Sequence, residues 1–232
     1  FISLRYAFLI TLAIIISSSV SYSSEDKIEK AKKLIEQQSK FNDAIVLLKK
    51  EVKKDPADAN TWYWLSIASW KMNKFKETTQ AMEKAFKLGL ESSKHLTGYD
   101  TLGWVKYYSS EPGQSLTYFN KALKIKNDFI NSVKGRGFVY ILLNKPDKAL
   151  LDLNFILERS PRNYDVSLKR GWTNYLLGNY TQAIADFNSV ISKDKNSFNN
   201  DEAMVGRGWT YFFLKQFDKA LADFNKAFPR IA

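Results

Sequence analysis

The sequence contains no cysteine and a single histidine, His95. Without cysteine the chain has no disulfide bond, no thiolate zinc site, no cysteine nucleophile and no lipoprotein anchor. One histidine supplies too few groups for a histidine metal site, and it makes a Ser-His-Asp triad a poor prospect. Only 10 glycines and 5 prolines are present, which excludes collagen-like and Pro/Gly-rich chains. We therefore expect no metal ion, no cofactor and no enzymatic activity.

The amino-acid composition is that of a folded and basic protein. Hydrophobic residues make up 45% of the chain and charged residues 25%, and the formal net charge is +11. This apolar content is enough to bury a core, so global disorder is excluded. Because the lysines are spread along the chain, we expect an ordinary solvated surface. The alternative is attraction to an anionic membrane, a cell-wall polymer or an acidic protein.

The N-terminal segment has the order of a secretory signal peptide. Arg5 precedes an apolar run from Tyr6 to Ile16, and a serine-rich stretch follows it. Small residues at Ser19 and Ser21 favour cleavage after Ser21. We therefore predict a signal peptide at residues 1–21 and export, to a bacterial periplasm or out of the cell, and hence no nucleic-acid partner. The alternative is an uncleaved membrane anchor, because residues 1–20 nearly span a bilayer.

The chain repeats itself at intervals of 34 or 37 residues. One column of small side chains and one column of large apolar side chains, four positions later, share the same intervals. The small column is Ala44, Thr78, Ser115, Ala149, Ala183 and Ala220, and the large one is Leu48, Met82, Phe119, Leu153, Phe187 and Phe224. Columns that share their insertions indicate a repeated unit. Six units begin near residues 25, 59, 96, 130, 164 and 201.

Each unit has the pattern of two helices joined by a turn. In the fifth unit apolar residues recur every three or four positions on both sides of Gly178. Unit positions 8 and 20 are small, Gly171 and Ala183 in this unit, because larger side chains would hold two antiparallel helices apart. Pro161 ends a second helix, since proline cannot continue one. The pattern predicts an all-α protein of helix-turn-helix repeats.

These repeats resemble the tetratricopeptide repeat (TPR) family over residues 25–232. The matching residues in the second unit are Trp62, Leu65, Thr78, Met82 and Ala85, and in the fourth unit Gly137, Tyr140, Ala149, Leu153 and Pro161. The resemblance implies a right-handed α-solenoid of about six repeats, whose first helices line a concave, ligand-binding face. It also implies a protein or peptide partner.

Two further columns predict ion pairs in the last three units. Unit position 7 is arginine and position 23 is aspartate in units four to six, and neither residue stands there in units one to three. The predicted pairs are Arg136–Asp152, Arg170–Asp186 and Arg207–Asp223, with the aspartate of a neighbouring unit as a second choice. An asparagine column, Asn120, Asn154, Asn188 and Asn225, predicts hydrogen bonds between units. We interpret all of these residues as structural rather than catalytic.

An aromatic stripe follows the first helices at unit positions 9 and 12. These positions lie beside the core stripe, because one residue advances a helix by about 100°. The residues that we predict to form a partner-binding face are Trp70, Trp104, Tyr107, Lys134, Phe138, Trp172, Tyr175, Trp209 and Phe212. A helix that is apolar on two stripes is either buried or covers a ligand. Packing between neighbouring units is therefore the alternative to an open groove.

The sequence favours an exported, non-enzymatic scaffold that binds a peptide or protein on its concave aromatic face, with Lys134 taking an acidic group. The alternative is a structural component of an envelope assembly. In that case the chain would dock or stack on itself through its last repeat, which no polar capping helix follows.

Overall fold

The structure is a computed structural model that describes residues 25–37, 39–192 and 198–228. The predicted signal peptide at residues 1–21 lies outside the described residues. Twelve α-helices and no strand occupy the described ranges, so the predicted all-α fold is confirmed. The helices are α1 (25–36), α2 (Phe41–Lys54), α3 (Ala59–Lys71), α4 (Phe75–Lys87), α5 (His95–Tyr108), α6 (Pro112–Ile125), α7 (Ile130–Leu142), α8 (Pro146–Arg159), α9 (Tyr164–Leu176), α10 (Tyr180–Ile191), α11 (Phe198–Phe213) and α12 (Phe217–Ala227). A 3₁₀ turn, Ser92–Lys94, precedes α5.

Consecutive helix pairs form the repeats, from repeat one (α1 and α2) to repeat six (α11 and α12). The chain divides into two compact units, one up to Val105 and one from Lys106 onward. In the first unit α3 packs against both α2 and α4. In the second unit each helix from α6 to α12 packs against the next, and the first helices α7, α9 and α11 also contact one another in turn. Stacked helix pairs of this kind are an α-solenoid arrangement.

Small residues let the two helices of a repeat approach closely. A Cβ atom added at Gly171 would lie 2.8 Å from the ring of Phe187, and one added at Gly208 would lie 2.8 Å from the ring of Phe224. Phe187 also faces Gly206 of the next repeat, where an added Cβ would lie 2.5 Å from the ring. Because a packed interior leaves no spare volume, only glycine fits at these positions opposite the phenylalanine rings.

The turns between paired helices share one backbone conformation. In repeats two to six the second residue after the end of the first helix has a positive φ, and Gly178 has it at +76°. Asn73 and Asn144 adopt it as well, as do Ser110 and Lys215. Glycine and asparagine tolerate this left-handed region best, so the turns at Ser110 and Lys215 are the more strained ones.

No helix within the described ranges is both long and apolar enough to cross a membrane.

Candidate functional site

Each of the last three repeats contains the arginine–aspartate pair expected from the sequence. Arg136 donates from Nε to Asp152 Oδ2 at 2.9 Å and from Nη2 to Oδ1 at 2.7 Å. The equivalent distances are 3.0 and 2.6 Å for the pair in repeat five, and 2.8 and 2.6 Å for the pair in repeat six. The two parallel hydrogen bonds fix the planar guanidinium against the carboxylate. The hydrogen bond with Asp152 is also the main reason why the pKa of Arg136 is raised.

Two residues of the asparagine column, Asn154 and Asn188, connect the pairs of repeats five and six to the preceding repeat. Arg170 donates from Nη1 to Asn154 Oδ1 at 2.8 Å, and Arg207 donates from Nη1 to Asn188 Oδ1. Asn174 donates to the carboxylate of Asp186 at 3.2 Å. Arg170 and Arg207 therefore link one second helix to the next. This arrangement holds neighbouring repeats in register.

Two members of the predicted aromatic face are not exposed. Trp104 is only 9% exposed and Phe138 only 6%. The expectation that these rings lie on an open surface is therefore wrong. In repeats five and six the ring at position 9 also contacts the core residue at position 24. In repeat five Trp172 meets Phe187 in this way, with the ring centres 5.6 Å apart.

Lys134 and the aromatic residues near it are also engaged within the protein. Lys134 Nζ lies 3.5 Å from a carboxylate oxygen of Asp165 and 5.9 Å from the ring centre of Phe138. Lys134 therefore has a carboxylate partner inside the chain, contrary to the role of a free cation awaiting an acidic group. Tyr107 is half-buried, 6.3 Å from Phe138. Its pKa is raised, mainly by burial. Trp70 is half-buried as well.

The remaining predicted aromatics come together at the end of the second unit. They form a continuous cluster, which we call the C-terminal aromatic surface: Trp172, Tyr175, Tyr180, Trp209, Phe212, Phe213 and Phe217. Tyr175 lies 5.7 Å from Trp172 and 5.7 Å from Phe213, and Phe213 stacks on Tyr180 at 6.2 Å. Phe212 contacts Trp209, Phe213 and Phe217 with centre distances of 5.5–6.1 Å.

The last repeat presents this surface to solvent. Trp209, Phe212, Phe213 and Phe217 are 43–57% exposed, whereas the three aromatic members from repeat five are half-buried. Burial raises the pKa of Tyr175, with a smaller contribution from the charge of Tyr180. Contiguous exposed apolar surface on a folded protein marks an interaction site.

The sequence prediction identified four residues of this surface and missed three. Trp172, Tyr175, Trp209 and Phe212 come from positions 9 and 12, which the stripe includes. Phe213 stands at position 13, and Tyr180 and Phe217 stand at position 17, both outside the predicted stripe. A sequence signal was present, because position 13 is apolar in the four repeats whose first helices end at Tyr108, Leu142, Leu176 and Phe213. All four side chains are exposed in the structure.

The outer face of α12 is a second exposed apolar region. Leu221 is 60% exposed, although the residues at this position in repeats one to five are buried or half-buried. Phe224 is half-buried where its five counterparts, from Leu48 to Phe187, are fully buried. Phe228 is exposed where Leu157 in repeat four is buried. At the position of Phe224, the following repeat lies against the ring elsewhere in the chain: Gly135 faces Phe119 and Gly206 faces Phe187.

The fold and the stacked repeats place the chain in the class of α-solenoid repeat proteins. Sequence models of the tetratricopeptide repeat match residues 140–199 and 201–228. Residues 140–199 and 201–228 therefore consist of tetratricopeptide repeats. Such repeats form scaffolds for protein–protein interaction, and proteins built from them are generally not enzymes.

Solved structures of TPR proteins share this fold. YrrB, a TPR protein described as having an unusual peptide-binding site, is 21% identical, with a TM-score of 0.65 over 78% of this chain and 91% of YrrB. A TPR protein from Parabacteroides merdae is 22% identical, with a TM-score of 0.69 over 89% of this chain and 79% of its own. PilF from Pseudomonas aeruginosa is 14% identical, with a TM-score of 0.69 over 91% and 95%. No sequence among the curated proteins matches this chain significantly.

Proposed function

We propose that this TPR protein is a scaffold that binds a peptide or protein through the C-terminal aromatic surface. The observation that carries the proposal is the exposure of four touching aromatic rings on the last repeat. The description of YrrB as a peptide-binding TPR protein supports a partner of the same kind. The partner contributes apolar side chains, because the exposed side chains of this cluster are aromatic.

The exposed rings provide enough area for specific binding. Covering a half-exposed aromatic side chain yields about 2 kcal/mol, at about 25 cal/mol for each Å² of apolar surface. Four such rings contribute about 8 kcal/mol, which is comparable with the cost of association of about 4–15 kcal/mol. Aromatic residues also concentrate binding energy at interfaces. The half-buried rings of repeat five hold the exposed rings of repeat six in place, so little ordering is needed on binding.

A selection with random peptides tests the proposal. A displayed peptide library is selected on the wild-type protein, and the affinities of the enriched peptides are then measured by calorimetry. We expect these peptides to be rich in apolar residues and to bind a Phe213→Ser/Phe217→Ser variant at least about tenfold more weakly. The matched control is Leu142→Ser, which removes an equally exposed apolar side chain at position 13 of repeat four. Equal affinity for both variants would contradict the proposal, as would failure to enrich any peptide.

The outer face of α12 supports a second candidate function, self-association or docking in an assembly. Leu221 and Phe228 are exposed at positions whose counterparts in the other repeats are buried or half-buried. A second copy that stacks on this face would bury both side chains. Sedimentation velocity of the wild type should then show a size that grows with concentration, and Leu221→Glu should abolish the growth. A strict monomer at all concentrations excludes this function.

Export of the scaffold is part of the same proposal. It rests on residues 1–21 alone, with the apolar run and Ser21 as its evidence. N-terminal sequencing of the protein purified from its source would locate a cleavage site. A mature chain that still contains Tyr6–Ile16 would favour the membrane anchor instead.

A further inference from the structure

A cavity of about 730 Å³ lies in the first unit, on the side of the second helices. Its walls come from α2, from α3 and from the first half of α4. The lining residues are Lys49, Val52, Lys53, Trp62, Leu65, Lys74, Phe75, Lys76, Glu77, Gln80 and Ala81. This volume is within the range of about 300–1,000 Å³ that small-ligand sites have in proteins.

The equivalent cleft in repeat five explains why this cavity is open. There Asn154, Arg170 and Asp186 line a space of only about 210 Å³. The corresponding residues of the first unit are Lys49, Leu65 and Ala81, at the same unit positions. The side chains of Arg170 and Asp186 fill the cleft and join its two walls through Asn154. Leucine and alanine are shorter and make no such bridge, so repeat two keeps an open cavity where repeat five has an ion pair.

The floor of the cavity is apolar. Leu65, Ala81 and Val52 are nearly inaccessible to solvent and belong to the hydrophobic core of the first unit. Trp62 is held in place by a hydrogen bond from its Nε1 to the carbonyl oxygen of Pro56, at 3.0 Å. A rigid apolar floor of this kind takes an aromatic or aliphatic side chain.

The rim of the cavity is cationic. Four lysines and one glutamate line it, and Lys49 lies 2.8 Å from Glu77. Lys74 donates a hydrogen bond to the side-chain oxygen of Asn42 at 3.3 Å. Lys53 and Lys76 form no ion pair with any residue in the described ranges. The rim therefore carries an excess of positive charge over an apolar floor, which is complementary to an apolar group flanked by carboxylates.

We infer that this cavity is a second binding site, which takes an acidic peptide segment with one bulky apolar side chain. The apolar side chain lies against Leu65 and Trp62, and flanking aspartate or glutamate side chains pair with Lys53 and Lys76. A peptide is the occupant that suits a protein-interaction fold. The site is independent of the C-terminal aromatic surface, because its residues all lie in repeats one and two and its ligand needs negative charge.

The probe is a blocked peptide with one phenylalanine flanked on each side by two glutamates, and its affinity is measured by calorimetry. The first variant, Lys49→Asn/Leu65→Arg/Ala81→Asp, rebuilds in repeat two the three residues of repeat five. We expect it to fold and to weaken binding at least about tenfold, because the new ion pair fills the cavity. The second variant, Lys53→Glu/Lys76→Glu, leaves the floor intact and should weaken binding about tenfold through charge repulsion.

Matched controls complete the test. Lys50→Glu reverses the charge of a lysine on α2 that does not line the cavity, and it should bind the peptide within about twofold of wild type. A peptide with alanine in place of phenylalanine should bind at least about tenfold more weakly than the parent. Unchanged affinity in both cavity variants, or no binding of the peptide to the wild type, overturns the inference. Myristate, an anion with an apolar chain, tests the alternative of a small ligand. Binding of myristate without binding of the peptide would overturn the assignment of the cavity to a peptide.

Discussion

The ion pair of repeat five can be tested by replacing it with the residues that repeat two has in its place. Arg170→Leu and Asp186→Ala each remove one partner, and the double variant has the same two residues as Leu65 and Ala81. Repeat two shows that a repeat of this protein folds with leucine and alanine at these positions. The double variant should therefore fold as well.

The burial of the two partners determines the expected magnitudes. The side chain of Asp186 is only 6% exposed, and that of Arg170 is 28% exposed. Arg170→Leu leaves a buried carboxylate with Asn174 as its remaining donor, and we expect it to lower the free energy of unfolding by about 3–5 kcal/mol. Asp186→Ala leaves an arginine that can turn toward solvent, so its cost should be about 1–3 kcal/mol. The double variant removes both charges and should cost about 1–3 kcal/mol. The coupling energy, which is the sum of the two single costs less the cost of the double variant, should therefore be about 4 kcal/mol at the middle of these ranges and at least about 1 kcal/mol.

Urea unfolding followed by circular dichroism measures all four proteins under the same conditions. The slope of the free energy with urea should stay constant across the cycle, because none of the changes alters how much surface unfolds. A control cycle on Lys134 and Asp165, a more exposed pair at 3.5 Å, should give a coupling of less than about 1 kcal/mol. If the single changes at Arg170 and Asp186 were additive, the pair would be a passive contact and the reasoning would be refuted.

Two further predictions concern packing and pH. Gly135→Ala should lower the free energy of unfolding by about 1–3 kcal/mol, because its Cβ would lie 2.1 Å from the ring of Phe119, whereas Gly113→Ala, with no atom within 4 Å, should raise it by up to about 1 kcal/mol. Urea unfolding compares them, and equal effects would contradict the packing argument. Burial raises the pKa of Tyr63 above its ordinary value of 10.0, although a hydrogen bond with Thr97 partly opposes this. A raised pKa means that the folded state favours the neutral phenol. The contribution of Tyr63 to the unfolding free energy is therefore fully present below pH 10 and is lost as the pH rises through the folded-state pKa. Tyr63→Phe should flatten the alkaline decline in unfolding free energy, and an unchanged decline would assign it to other groups.

Much of the fold could be predicted because the sequences of the six repeats can be compared with one another. Arginine at position 7 appears only where aspartate stands at position 23, and this joint occurrence predicts contact without any structural information. Arg136 and Asp152 are indeed in contact at 2.7 Å. Small residues at position 8 predicted the close helix crossing in the same way, and Gly171 lies against Phe187. These features depend on residues within one repeat, whose relative positions follow from helix geometry.

The candidate site was less accessible to such reasoning. Trp172 and Trp209 stand at the same unit position, yet the first is half-buried and the second is exposed. Phe138, at that position in repeat four, is buried. The three rings share one unit position, but the side chains that shield each ring from solvent come from other helices. Identical positions in a repeat therefore need not have identical exposure.

The sequence by itself determined the all-α repeat architecture, the pairing of arginine with aspartate and the apolar character of positions 9 and 12. Only the tertiary structure decided which of those apolar rings reach solvent and that repeat two contains an open, lysine-rimmed cavity. The physical reason is that helix periodicity specifies which side chains share a face, whereas exposure and cavity volume depend on how far the side chains of neighbouring helices extend across that face.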